Sequence, residues 1–261
     1  MNALLEIKNL SKLFHGPAGS RIHVLDGINF IIDSAGNNGR LTSVLSPAGA
    51  GKTTLLKIIS ALEKPSGGEV ILKEKEYLQP DGSIVYIPEN ASSFPWMSVD
   101  QNIEFALNLK KINKEDVKKR KDEVISLVGL GGYGNHYPHE KSSGFRFRIS
   151  LARALAIQPE VILLDDCFKN LHSETKKELH DLIKSIKQQL NVSFILATSN
   201  ISEAVDLSGN ILLLKKSPGK IFRQINVIEF NKNHQGEDKN VSLKSEIEKS
   251  FEHADERMNI F

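Results

Sequence analysis

The clearest chemistry lies between Leu41 and Leu56, where Leu41-Thr42-Ser43-Val44-Leu45 runs into Ser46-Pro47-Ala48-Gly49-Ala50-Gly51-Lys52-Thr53-Thr54-Leu55-Leu56. A run of strand character enters a loop of small residues, and a helix-forming run leaves it. This order suits phosphate. Gly49 and Gly51 let the backbone turn its N–H groups inward, and a helix beginning near Lys52 adds the positive end of its dipole. Lys52 is then placed to reach the β- and γ-phosphates of a nucleoside triphosphate, and Thr53 to set its hydroxyl on Mg2+. Ser46, Ala48, Ala50 and Thr54 complete the candidate cradle. Ser46 stands where the usual pattern has its first glycine, yet strand, Gly-x-Gly-Lys-Thr and helix keep their order. A Gly-rich turn that happens to precede Lys-Thr is the weaker reading.

Such a loop needs a rigid frame. Short apolar runs recur at Leu4 to Ile7, Ile28 to Ile32, Leu41 to Leu45, Val70 to Leu72, Ile84 to Ile87, Val161 to Leu164, Phe194 to Ala197 and Ile211 to Leu214. Val161-Ile162-Leu163-Leu164 is continuous rather than alternating, as expected of a strand buried on both faces. The spacing predicts an α/β core. From about Asn102 to Ala156 strand runs give way to helical ones, carried by Ile103, Ala106, Leu107 and Leu109, then Val117, Val124, Ile125 and Val128. This stretch reads as a helical insert. Beyond Ser217-Pro218-Gly219, a strand over Lys220 to Phe230 is expected. A polar stretch comes next, and Val241, Leu243, Ile247 and Phe251 then predict a short amphipathic helix.

Composition narrows the setting. The 261 residues are 40% hydrophobic, enough for one substantial domain with a subdomain, and 34 Lys plus Arg nearly cancel 32 Asp plus Glu. That balance gives no reason to expect nucleic acid as a partner, and the basic run Lys118-Lys119-Arg120-Lys121 reads as a solvated helix face. One cysteine, Cys167, rules out an internal disulfide and suits a reducing compartment. No apolar run approaches the ~20 residues of a membrane span, no covalent membrane anchor is evident, and Glu6 and Lys8 are unlike a signal peptide. Any membrane association is expected to come through a partner.

The segments downstream of the phosphate loop select the class. Ser142-Ser143-Gly144-Phe145-Arg146-Phe147-Arg148-Ile149-Ser150-Leu151-Ala152-Arg153-Ala154-Leu155-Ala156 resembles the signature segment of ATP-binding cassette transporters, roughly LSGGQRQRVALARAL. Val161 to Asp166 then resembles the family's Walker B strand, at the family's interval. Leu4 to Phe14 is similar to its first strand and adenine-stacking aromatic, with Phe14 in that role. Phe94-Pro95-Trp96-Met97-Ser98-Val99 is similar to the stretch after its Q-loop, which docks the transmembrane subunit. The resemblance covers about residues 3 to 228. Ser217-Pro218-Gly219-Lys220-Ile221, with Pro95-Trp96, resembles the branch serving nitrate, sulfonate and taurine importers.

The resemblance implies a P-loop NTPase (RecA-like) core with an antiparallel β edge and an inserted helical subdomain. Core residues are 1–88 and 157–228, the helical subdomain 89–156 and a C-terminal extension 229–261. It also implies ATP and Mg2+ as cofactors, Asp165 holding Mg2+ through water, transmembrane permease subunits as partners, and a peripheral place on the cytoplasmic face of the membrane.

Three of the family's catalytic positions depart from its pattern. Asp166 stands for the glutamate that polarises the attacking water, Ser199 for the histidine that contacts the γ-phosphate, and Glu89 for the Q-loop glutamine. Asp166 is one methylene shorter, a retreat of ~1.5 Å, and a misplacement of ~1 Å can cost about 10²-fold in rate. Ser199 cannot span the distance of an imidazole, and loss of a positioned acid–base group commonly costs ~10²–10⁴-fold. Hydrolysis at this loop is expected to be weak while binding survives. The D-loop reads Lys169-Asn170-Leu171-His172. In the signature, Lys141, Ser143 and Phe145 replace leucine, glycine and glutamine, while Ser142 and Gly144 keep the means to reach a γ-phosphate held by a second cassette.

Two such chains would carry two impaired sites, so a heterodimer with an intact second cassette is expected. A non-hydrolytic regulatory or scaffold subunit is the alternative, and a soluble cassette ATPase of translation or DNA repair a weaker one. His136, His139 and Glu140 read as loop residues rather than metal ligands, because Tyr137-Pro138 interrupts any regular helix between them. Cys167 reads as a small buried filler.

Overall fold

The structure, a computed structural model, describes residues 3–33, 41–90, 92–234 and 238–256. Along the chain come β1 (Ala3–His15), β2 (Arg21–Asp33), β3 (Leu41–Leu45), α1 (Lys52–Ile59), β4 (Gly67–Leu72) and β5 (Lys75–Glu76). Next are β6 (Ile84–Ile87), α2 (Val99–Leu109), α3 (Lys114–Leu127), α4 (Ser143–Ala156), β7 (Val161–Asp165) and α5 (Ser173–Gln189). The last are β8 (Ser193–Thr198), α6 (Ile201–Leu207), β9 (Asn210–Lys215), β10 (Lys220–Asn226), α7 (Val227–Asn233) and α8 (Lys239–Glu256). They form two compact units, one from the residues up to Pro80 with those from Phe194 onward, the other from Asp81–Ser193.

In the first unit, β2, β1, β4 and β5 make an antiparallel sheet in that order. Its long strands bury Leu5, Ile7, Leu10, Leu25 and Ile28. Beside it, β3 lies parallel to both β8 and β9, with Leu41 opposite Phe194 and Leu45 opposite both Thr198 and Leu213. Every residue of β3 and β8 is buried, which explains their continuous apolar reading. The expected C-terminal amphipathic helix is present as α8, but at 18 residues it is not short, and Val241 lies exposed rather than on its apolar face. Leu243 and Ile247 are fully buried in a cluster with Leu45, Val205, Leu213 and Ile225.

The strand anticipated over Lys220 to Phe230 stops at Asn226, whose side-chain Oδ1 accepts hydrogen bonds from the N–H groups of Ile228 and Glu229. That cap starts α7 four residues early, and capping by asparagine outweighs the β-propensity of Val227 and Ile228.

In the second unit, β6 and β7 pair in parallel with Ile84 opposite Val161 and Ile87 opposite Leu164. Helices α2, α3 and α4 occupy the stretch read as helical. Ser98 and Gln101 close a capping box at the start of α2. At the far end of α4, Arg120 of α3 donates to the carbonyls of Leu155 and Ala156, satisfying groups that a helix end leaves open. Phe168 is fully buried between Phe147 and His180, with ring centroids 5.3 and 4.9 Å away.

Candidate functional site

In the first unit β3 delivers the phosphate loop from a fully buried strand, so its base cannot shift without disturbing the sheet. Gly49 and Gly51 take φ of 80° and 97°, the left-handed region open to glycine, and Gly51 is the N-cap residue of α1. A Cβ at Gly51 would meet Leu25 Cδ2 at 2.9 Å and Val24 Cγ1 at 3.1 Å, so the loop is also packed from beneath. Ser46 does not figure among the described non-glycine residues with positive φ. Its position therefore accepts a side chain, which accounts physically for serine at the first glycine of the pattern. Lys52 is 5% exposed, and its ammonium donates to the carbonyl of Ser46 at 3.2 Å, folding back over the loop that it closes. Thr53 and Thr54 lie in the first turn of α1, and Ala50 is buried while Ala48 is exposed.

Phe14 lies near the end of β1, partly exposed, with the Lys12 ammonium 4.7 Å from its ring centroid. That ammonium is itself held by Glu63 at 2.6 Å and by the carbonyl of Lys64 at 2.7 Å. The bond from Lys12 holds the Glu63 carboxyl below its ordinary range. Ser199 sits exposed between β8 and α6. The preceding Thr198 is fixed by a 2.6 Å bond from its hydroxyl to the buried Glu203 carboxylate.

The second unit carries the remaining candidates. Asp165 ends β7 at 2% exposure, and its Oδ2 accepts a 2.7 Å hydrogen bond from the Tyr86 hydroxyl. Asp166 takes a left-handed backbone with φ of 46°, a region where aspartate is found far more readily than most residues with side chains. Cys167 is buried, its sulfur 3.5 Å from the carbonyl of Ile87, and burial pushes the thiol well above its ordinary pKa. Such a thiol is a packing group rather than a nucleophile. Glu89 is exposed and pairs with Lys169 at 3.3 Å, so the Q-loop and D-loop positions that depart from the family carry opposite charges and meet.

Ser142 is the N-cap of α4, its Oγ accepting from the Phe145 N–H at 3.3 Å. A hydroxyl has one proton and two lone pairs, so this cap leaves the O–H able to donate to an incoming oxyanion. Ser143 occupies the first glycine position of the segment, and its Oγ accepts from Arg146 at 3.2 Å. At Gly144 a Cβ would come within 2.5 Å of Thr175 Cγ2, so a side chain there would force the Thr175 methyl of α5 to move. Ser143 borders a cleft of about 430 Å3, lined also by Glu89, Ser93, His139, Arg146 and Cys167 among others. His139 lies in a 3-10 turn, its Nδ1 2.9 Å from the carbonyl of Pro95. Among the described residues no group of three or more His, Cys, Asp or Glu could hold a metal ion.

Two residues that shape the site escape a reading by motif. Asn102 is fully buried, its Oδ1 accepting from the Phe94 N–H at 2.8 Å and its Nδ2 donating to the carbonyls of Phe94, Met97 and Ser98. It ties down the loop that exposes Trp96 and sets Phe94 edge-to-face with Phe105. Asn102→Ala should lower the unfolding free energy by about 2–3 kcal/mol, because it strands buried polar groups. Urea denaturation would measure the loss, and faster proteolysis between residues 94 and 98 would locate it. The capping box just before Asn102 is the legible clue. The second such residue is Tyr86, which no local pattern marks.

Among the described residues no helix is long and apolar enough to cross a membrane. A family model described as ABC transporter matches residues 27–169. A probable sulfate/thiosulfate import ATP-binding protein CysA of Chlorella vulgaris is 36% identical, covering 83% of this chain and 89% of its own length. The aliphatic sulfonates import ATP-binding protein SsuB of Bacillus cereus is also 36% identical, covering 85% of each chain. The nitrate import ATP-binding protein NrtD of Synechocystis is 32% identical, covering 85% of this chain and 82% of its own. Among solved structures, the dimeric bacterial ABC transporter cassette MJ0796 superposes with a TM-score of 0.73 at 26% identity, over 85% of this chain and 98% of that one. A phosphate loop on a buried parallel strand, a carboxylate-ended β7 and a serine-capped α4 are the parts of a P-loop NTPase cassette. The chain belongs to the ABC transporter ATP-binding family, whose cassettes bind ATP with Mg2+.

Proposed function

We propose that this chain is the ATP-binding subunit of an importer of the nitrate, sulfonate and taurine kind. It holds MgATP at its own loop, hydrolyses it weakly and pairs with a second cassette that keeps its glutamate and histidine. Relatives named for sulfonate, nitrate and taurine import support the importer reading. Permease subunits then supply the membrane path, with the exposed Trp96 loop offered to them, and the chain works at the cytoplasmic face. Residues 1–88 with 157–228 serve as the nucleotide core, 89–156 as the signature subdomain and 229–261 as an extension. Phe14 offers a stacking surface for adenine, Thr53 a hydroxyl for Mg2+, and Asp165 a carboxylate for its hydration shell.

The observation that carries the asymmetric reading is the contrast within one chain. The loop from Ser46 to Thr54 keeps its glycine conformations and its buried lysine, while Asp166 and Ser199 replace both groups that drive hydrolysis. Ser142, with its proton free to donate, suits a second cassette's γ-phosphate. In the reconstituted complex, alanine at the second cassette's glutamate should abolish transport, whereas Asp166→Asn should leave most of it. A collapse of transport in Asp166→Asn would sink the asymmetric motor. A complex silent with every cassette unaltered would favour a non-hydrolytic scaffold instead.

A further inference from the structure

The Asp165 carboxylate presents its two oxygens in different states. Oδ2 is occupied by the Tyr86 hydroxyl at 2.7 Å, whereas Oδ1 is buried and has no hydrogen-bond partner within the protein. A buried carboxylate oxygen without a donor is costly and is retained where something else satisfies it. A hydrated Mg2+ fits that need: its waters are donors, and a hard cation takes oxygen ligands. Tyr86 lies on β6, opposite Leu163 of the parallel neighbour β7, and reaches toward the strand end where Asp165 sits. Its phenol O–H donates to the carboxylate and brings no charge of its own.

We propose that Tyr86 is a positioning residue for magnesium: by engaging one oxygen of Asp165 it fixes the carboxylate plane and reserves the other for a water of the nucleotide-bound cation. This rests on reading Asp165 as the carboxylate that serves Mg2+. A phenylalanine at position 86 keeps the ring and its packing but frees the carboxylate to rotate, and the oxygen meant for the hydrated cation is no longer held in place. ATP bound without metal does not depend on this orientation.

Binding of a fluorescent ATP analogue to the full chain, in EDTA and across a MgCl2 titration, separates the two effects. In Tyr86→Phe, affinity in EDTA should be unchanged, while the Mg2+ concentration for half-maximal enhancement should rise about tenfold, the scale of one charge-assisted hydrogen bond. Thermal melting of the same variant confirms that the fold is retained. Asp165→Asn is the companion variant and should lose most of the Mg2+ enhancement. An unchanged magnesium response in Tyr86→Phe beside a lost one in Asp165→Asn overturns the role of Tyr86 alone. An unchanged response in both overturns the reading of Asp165 as well.

Discussion

Lys52→Ala should weaken ATP binding at least about a hundredfold, since hydrogen bonds to charged groups contribute about 1.5–3 kcal/mol each and Lys52 can serve two phosphates. Lys52 is 5% exposed and its ammonium rests on the Ser46 carbonyl, so it is already held over the loop before a nucleotide arrives. Preorganised charge of this kind loses little side-chain entropy on binding. Lys52→Arg should fail to rescue, because a planar guanidinium is bulkier than an ammonium at a point held by the packed turn at Gly51. Titration calorimetry with ATP on wild type and both variants measures the effect, and unchanged melting temperatures would assign it to binding. Affinity within tenfold of wild type in Lys52→Ala would show that this loop is not the ATP site.

The features that can be read from sequence are those whose determinants are contiguous. The loop from Ser46 to Thr54 is one such case, because a strand, two glycines, a lysine and a helix start succeed one another and each dictates the next. Continuous apolar runs likewise announce β3 and β7, since a strand buried on both faces has no polar side to show. The boundary at Asn226 is obscured for a physical reason: Ile225, Val227 and Ile228 suit a strand, and only the cap geometry of one asparagine turns them into a helix. Contacts between distant residues leave no local trace. Tyr86 and Asp165 are 79 residues apart, and Arg153 reaches Ser92 across 61 to hold the Phe94 ring beneath its guanidinium. Nor does sequence report that Asp166 is left-handed, although this bears on why aspartate stands there.

Restoring both lost groups, with Asp166→Glu and Ser199→His in one chain, should raise hydrolysis at this loop by about 10²–10⁴-fold, the usual worth of a positioned acid–base group. Either change alone should gain far less, because a carboxylate that polarises water and an imidazole that contacts the γ-phosphate act on one transition state and their effects do not add. Ser199 is exposed, so an imidazole there displaces no core side chain. Thr198 beside it stays anchored through Glu203, which keeps the backbone beneath the new ring fixed. Glutamate at 166 is less at home in a left-handed backbone than aspartate, so this half of the repair should cost some thermal stability. Phosphate release should be measured in the assembled complex, with the glutamate of the proposed second cassette removed, so that turnover reports this loop. A double variant no faster than wild type would move the defect elsewhere. The ion pair between Glu89 and Lys169 then becomes the group to revert, because it places a charge where the family has glutamine.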